Sequence, residues 1–154
     1  MKRLHIHVSV DNLEESIRFY SCLFAHEPTL VKNDYAKWLL DDPRVHLAIS
    51  TRSHQSGVDH LGIQVEDAEE LQEIGARLES AALPATMQTA ATCCYSKSDK
   101  YWTLDPQGIA WETFHTLDSV PIFGDVNRKE NAACCVPTVV AENPGCGLSN
   151  ATCC

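Results

Sequence analysis

Long apolar runs are missing from this chain of 154 residues: no stretch approaches the ~20 apolar residues that a membrane-spanning helix needs. Basic residues are scarce as well, 12 Lys and Arg against 21 Asp and Glu, and a formal charge of -9 argues against nucleic acid or an anionic membrane as partner. The opening residues, MKRLHIHVSV, lack the apolar core and cleavage site of a secretory signal. A soluble, cytoplasmic protein is expected. The length suits one domain, or two small fused modules, with a sizeable core.

Cysteine, by contrast, is plentiful. The eight are Cys22, Cys93, Cys94, Cys134, Cys135, Cys146, Cys153 and Cys154, and six of them form three adjacent pairs. Neighbouring cysteines bridge to each other only with strain, and a reducing compartment keeps thiols reduced, so the pairs read as ligands for soft partners rather than as disulfide staples.

The chain carries one pattern twice. Residues 4–10 alternate, with Leu4, Ile6, Val8 and Val10 on one face and His5, His7 and Ser9 on the other, as in a strand with an apolar back and a polar front. A helix capped by Asn12 follows, its stripe formed by Leu13, Ile17, Tyr20 and Leu23 with Phe19 and Phe24 beside it, ending near Pro28. Strands over 35–40 and 45–50 flank an Asp-Pro turn, and 51–57 is a polar linker. The second copy has a strand over 58–65, a helix from about 67 to 81 carrying Leu71, Ile74 and Leu78, and a break at Pro84. A loop holding Cys93 and Cys94 leads to strands over 101–104 and 109–115 around a second Asp-Pro turn.

Superposing the copies brings out a candidate site. His5 precedes Asn12 by the same interval that separates His60 from Asp67, so the two histidines occupy one position of a duplicated strand. Counting equally far past each turn proline reaches Ile49 in the first copy and Glu112 in the second. Two imidazoles and one carboxylate on a common face, with further positions open, is the donor set of non-haem Fe(II) sites. His7 shares the face of His5 and is an alternative ligand or a neighbouring acid or base; His46 is expected at the surface, and His26, His54 and His115 carry no further signal.

The duplicated βαβββ pattern resembles the vicinal oxygen chelate superfamily over roughly residues 1–117, which implies an α+β fold of two tandem modules, 1–55 and 57–117. Within it, NLEESIRFYSCLF, VDHLGIQV, TCCYSKSDKYW and DPQGIAWETF resemble the ArsI-type carbon-arsenic lyases, also known as cadmium-inducible, glyoxalase/bleomycin-resistance-like proteins. The resemblance implies an Fe(II)-dependent dioxygenase that splits the carbon-arsenic bond of trivalent organoarsenicals such as methylarsenite, giving arsenite and formaldehyde. It implies His5, His60 and Glu112 as the metal and catalytic set, Cys93 and Cys94 as the arsenic-binding thiols, and dioxygen as the second substrate. Some relatives carry Gln at the first ligand position, so His5 is a variation on the pattern. All ligands lie in one chain, which suits a monomer or a homodimer.

Competing readings are a thiol-based protein that sequesters arsenic or cadmium without turnover, and another metal-dependent glyoxalase or dioxygenase. Glyoxalase-type sites tend to use four protein ligands, and an apolar residue at the fourth place argues against them. Residues 118–154 are rich in Pro, Gly and Asn and hold five cysteines, so a flexible Cys-rich tail is expected there, either redundant or able to relay metalloid to Cys93 and Cys94.

Overall fold

A computed structural model describes residues 1–53 and 55–121. His54, the tail cysteines Cys134, Cys135, Cys146, Cys153 and Cys154, and the relay suggested for them lie outside the described residues. The first module comprises β1 (Arg3–Ser9), α1 (Leu13–Phe24), β2 (Leu30–Lys32), β3 (Tyr35–Asp41) and β4 (Arg44–Ser50). The second comprises β5 (Gly57–Val65), α2 (Ala68–Ser80), β6 (Ala85–Cys93), β7 (Ser96–Leu104) and β8 (Ala110–Ser119).

All eight strands join one sheet in the order β2-β3-β4-β1-β5-β8-β7-β6. The order is a near-palindrome: β1 and β5 meet antiparallel at the centre, and each pairs in parallel with the last strand of its own module. The modules are therefore joined through the two strands that carry the equivalent histidines.

Side-chain pattern decides which face the helices cover. Asn12 accepts a hydrogen bond from the Glu15 amide and Asp67 one from the Glu70 amide, so both helices begin at the caps the sequence offers. Leu13, Ile17, Tyr20 and Phe24 of α1 pack on Trp38, Leu40, Leu47 and Ile49. Leu23, expected in that stripe, is exposed, because a spacing of three from Tyr20 turns it off the line that Phe24 continues. Under α2, Leu71 and Ile74 pack with Val65, Ile63 and Leu78.

The opposite face, expected to be a polar front, is instead the more deeply buried one. His5, His7 and Ser9 are buried while Leu4 is exposed. The cause is curl: the sheet bends until its two ends meet, and the Tyr95 hydroxyl, in the turn after β6, donates to Asp34 Oδ1 in the turn after β2 at 2.6 Å. Tyr35, Ala48 and Tyr95 then cluster across the seam.

Three further differences from the sequence expectation concern strands. β2 was not expected, being only three residues long. Residues 85–93 form an edge strand where a loop was expected, because a mostly exposed run of Ala and Thr carries no apolar alternation. β8 continues through Ser119, pairing Asp118 with Lys97, so the sheet reaches two residues into the segment expected as tail.

Candidate metal centre and thiol pair

The concave face brings His5, His60 and Glu112 together from three adjacent strands. His5 Nε2 and His60 Nε2 lie 3.1 Å apart, and Glu112 Oε2 lies 3.6 and 3.5 Å from them. A point about 2 Å from all three atoms exists inside this triangle, which is the length of a metal-nitrogen or metal-oxygen bond.

The outer nitrogens fix which atoms face inward. His5 Nδ1 donates to the His46 carbonyl at 3.1 Å and His60 Nδ1 to Asp59 Oδ1 at 2.6 Å. With both Nδ1 protons so placed, two Nε2 lone pairs meet, and only a shared proton or a cation between them relieves the contact. Trp102 packs edge-on against the His60 ring at 5.1 Å, which holds its orientation.

Charge supports the same conclusion. Burial, then the neighbouring His60, lowers the His5 pKa to about 4, so His5 is a neutral donor near neutrality. His60 is raised despite its burial, by its bonds to Asp59 and Glu112. Burial pushes Glu112 up, but the Lys100 ammonium and then His60 outweigh it and hold the carboxyl well below its ordinary range. A neutral His5, an ionised Glu112 and a His60 that yields its proton to a bound cation, converging at bonding distance, fit a divalent transition metal.

His7 stands apart from this triangle, with Nε2 at 2.9 Å from Ser50 Oγ. It also forms a second close group with Asp59 and His60. His46, expected at the surface, is buried with its ring 4.6 Å from that of His5. Its burial comes from the curl, which the alternation of β4 alone does not reveal. Among the described residues, His7 Nδ1 and both ring nitrogens of His46 have no hydrogen-bond partner, and both side chains line the cavity described below, so a polar molecule bound there would satisfy them.

The position symmetric to Glu112 also needs correction. In β8 Glu112 pairs with Gly62, and in β4 the residue paired with the equivalent His7 is Ala48. Ile49 points to the helix side, into the core with Trp38. The count from the turn prolines slips by one because β4 follows Pro43 at once whereas three residues separate Pro106 from β8. The fourth place is still apolar. Gly62 is itself required: a Cβ there would lie 2.1 Å from the Glu112 carbonyl oxygen.

Cys93 and Cys94 reach the same cavity through an unusual turn. Consecutive strand residues point to opposite faces, so adjacent thiols do not ordinarily converge. Here Cys93 pairs with Ser96, and the two residues between them, Cys94 and Tyr95, have φ of 55° and 61°. Both are left-handed, the conformation of a two-residue hairpin turn usually built from Asn and Gly, at a cost of roughly 1–2 kcal/mol for each side chain that replaces them. The turn swings Cys94 back, and the sulfurs lie 3.1 Å apart, beyond a covalent S–S bond of ~2.05 Å. Cys93 is disulfide-bonded in the structure, against the expectation that it is a thiol, so the vicinal thiol pair belongs to the reduced chain.

One cavity of ≈ 30 Å³ joins these parts; His5, Glu112, Cys93, Cys94, Lys100 and Phe114 all line it. Lys100 is a site residue that the repeat does not reveal; its only trace in the sequence is the SDKYW motif beside the cysteines.

Comparison with known proteins agrees with this architecture. Residues 2–113 match the Glyoxalase/Bleomycin resistance protein/Dioxygenase superfamily. The chain is 43% identical over 149 residues to a "Trivalent organoarsenical cleaving enzyme" of Bacillus sp. (strain MD1), covering 90% of this chain and 92% of that one. It is 36% identical to a "Probable trivalent organoarsenical cleaving enzyme" of Bacillus subtilis (strain 168), covering 95% of this chain and all of that one. Among solved structures, a homoprotocatechuate 2,3-dioxygenase from Brevibacterium fuscum superposes with a TM-score of 0.59 at 13% identity, over 78% of this chain and 33% of that one.

Proposed function

Because the chain belongs to the Glyoxalase/Bleomycin resistance protein/Dioxygenase superfamily, and within it to the group of the trivalent organoarsenical cleaving enzymes, we propose that it cleaves the carbon-arsenic bond of trivalent organoarsenicals such as methylarsenite. The observation that carries this reading is that a vicinal cysteine pair lines one cavity with His5 and Glu112, which themselves converge with His60.

In the reduced chain, Cys93 and Cys94 bind the substrate. Trivalent arsenic in methylarsenite has two exchangeable hydroxyls and one carbon, so two thiolates replace the hydroxyls, water leaves, and the methyl group remains free. The turn at Cys94 and Tyr95 holds both sulfurs on the same side, which sets the orientation of the carbon. His5, His60 and Glu112 hold the metal, in this proposal Fe(II), with Asp59 and the His46 carbonyl fixing the two imidazoles. When bound there, Fe(II) would activate dioxygen toward the carbon, whose oxidation provides the electrons that reduce it.

The atoms balance with no other reactant: methylarsenite and one dioxygen give arsenite and formaldehyde, arsenic remaining trivalent while the carbon is oxidised. Cys93, Cys94, His5 and Glu112 line one small cavity. Holding arsenic and metal in one such space makes their encounter intramolecular, worth up to about 7–11 kcal/mol of the barrier when alignment is good.

The test is anaerobic reconstitution of reduced protein with Fe(II), addition of methylarsenite, admission of oxygen, and arsenic speciation, with Cys94→Ser and Glu112→Ala alongside. Arsenite formed only with iron, oxygen and both residues is the expected result. Methylarsenite recovered unchanged but protein-bound would replace the enzyme with a sequestering protein.

A further inference from the structure

Lys100 stands on β7 on the concave face, two residues before Trp102, and is 3% exposed. Its Nζ lies 2.5 Å from Glu112 Oε1. The other carboxylate oxygen, Oε2, is the one that meets His5 Nε2 and His60 Nε2. The two oxygens of one carboxylate are thus divided between an ammonium and the candidate metal position. Burying a lysine beside the single carboxylate of a metal set costs desolvation that an apolar residue on β7 would avoid.

We propose that Lys100 is a positioning residue that confines Glu112 to one metal-facing oxygen and so keeps a coordination position open for the reactants. The inference rests on the metal reading of His5, His60 and Glu112. A carboxylate beside a divalent cation can coordinate through one oxygen or both, and the second oxygen would take a position that an incoming ligand needs. An ammonium bound to Oε1 prevents that. It also competes with the cation for the charge of Glu112 and repels it, so Lys100 weakens metal binding while fixing its geometry.

Two substitutions act in opposite directions. Lys100→Met leaves Glu112 buried without its cation, and the metal becomes the only group that neutralises it. Lys100→Arg presents a planar fork that engages both oxygens at once and withdraws Oε2 from the site.

The experiment is titration of the full, reduced chain with Co(II) alone, read by its d–d absorption, for the native protein and both variants, with arsenite release from Fe(II)-loaded samples measured in parallel. Lys100→Met is expected to bind Co(II) about tenfold more tightly, with an altered spectrum and at least about tenfold slower turnover, and Lys100→Arg to bind at least about tenfold more weakly. A merely structural lysine would give affinity and turnover falling together in Lys100→Met, or native affinity in both variants, and either overturns the inference. Should Lys100→Met not fold, Lys100→Arg decides alone, native affinity there being the refuting result. Failure of the native protein to bind Co(II) through His60 and Glu112 would overturn the metal reading and this inference with it; native binding with unchanged variants overturns the inference alone.

Discussion

Acidifying the metal-free, reduced protein should expose the burial of His5 as a loss of stability that a single substitution removes. The folded chain holds the His5 pKa at about 4, lowered first by burial and then by His60, against 6.5 for the exposed side chain. Between those values the unfolded chain binds a proton that the folded chain refuses, so stability rises with pH through this window and falls on acidification. The single-site linkage amounts to about 2.5 kcal/mol between about pH 7.5 and about pH 4.5.

Neighbouring groups act in the same window. His7, lowered to about 3 by burial, has the same sign, as has the lowered His46. His60 is raised and has the opposite sign: the stability it gains from Asp59 and Glu112 is present below its unfolded pKa and lost as pH rises. Glu112, held low, contributes stability that is lost only as pH falls below the ordinary carboxylate range. Comparison with His5→Gln removes the contribution of His5. Urea unfolding followed by tryptophan fluorescence, in EDTA and reductant, should give the native protein a fall steeper than that of His5→Gln by about 2.5 kcal/mol over this range. Equal pH dependence in the two proteins would refute the burial and charge state assigned to His5.

Other substitutions test separate links. Cys94→Gly should raise stability by about 1 kcal/mol in denaturant titration, by relieving the left-handed side chain, while arsenical affinity measured by equilibrium dialysis falls at least ~100-fold with the loss of one arm of the chelate. Gly62→Ala forces a Cβ against the Glu112 backbone and should lower stability by more than about 3 kcal/mol, seen as a collapsed urea midpoint. Asp59→Asn should weaken Fe(II) or Co(II) binding about 10–100-fold, measured against a competing chelator, because His60 loses the carboxylate that orients it.

The duplication was legible because β1 and β5 each keep a period of two and each leads into a capped helix at the same distance. That spacing registered His5 on His60, and the structure places those strands side by side at the sheet centre. Periodicity does not tell which face is deeper: His7 and His46 are buried by curl, a property of the whole sheet. The Ile49 position failed on turn length, which a count from proline does not see. β6 was hidden by its Ala and Thr composition, and the buried Lys100 differs in no local way from a surface lysine. Cys93 and Cys94 were visible as a pair, but the turn that points both sulfurs inward requires the backbone angles.

The most direct test of the central claim is the oxygen balance of the reaction in reduced, Fe(II)-loaded protein given methylarsenite and no added reductant. One dioxygen consumed for each arsenite and each formaldehyde formed is expected. Arsenite released without oxygen uptake, or turnover that stops unless an external reductant is supplied, would contradict it.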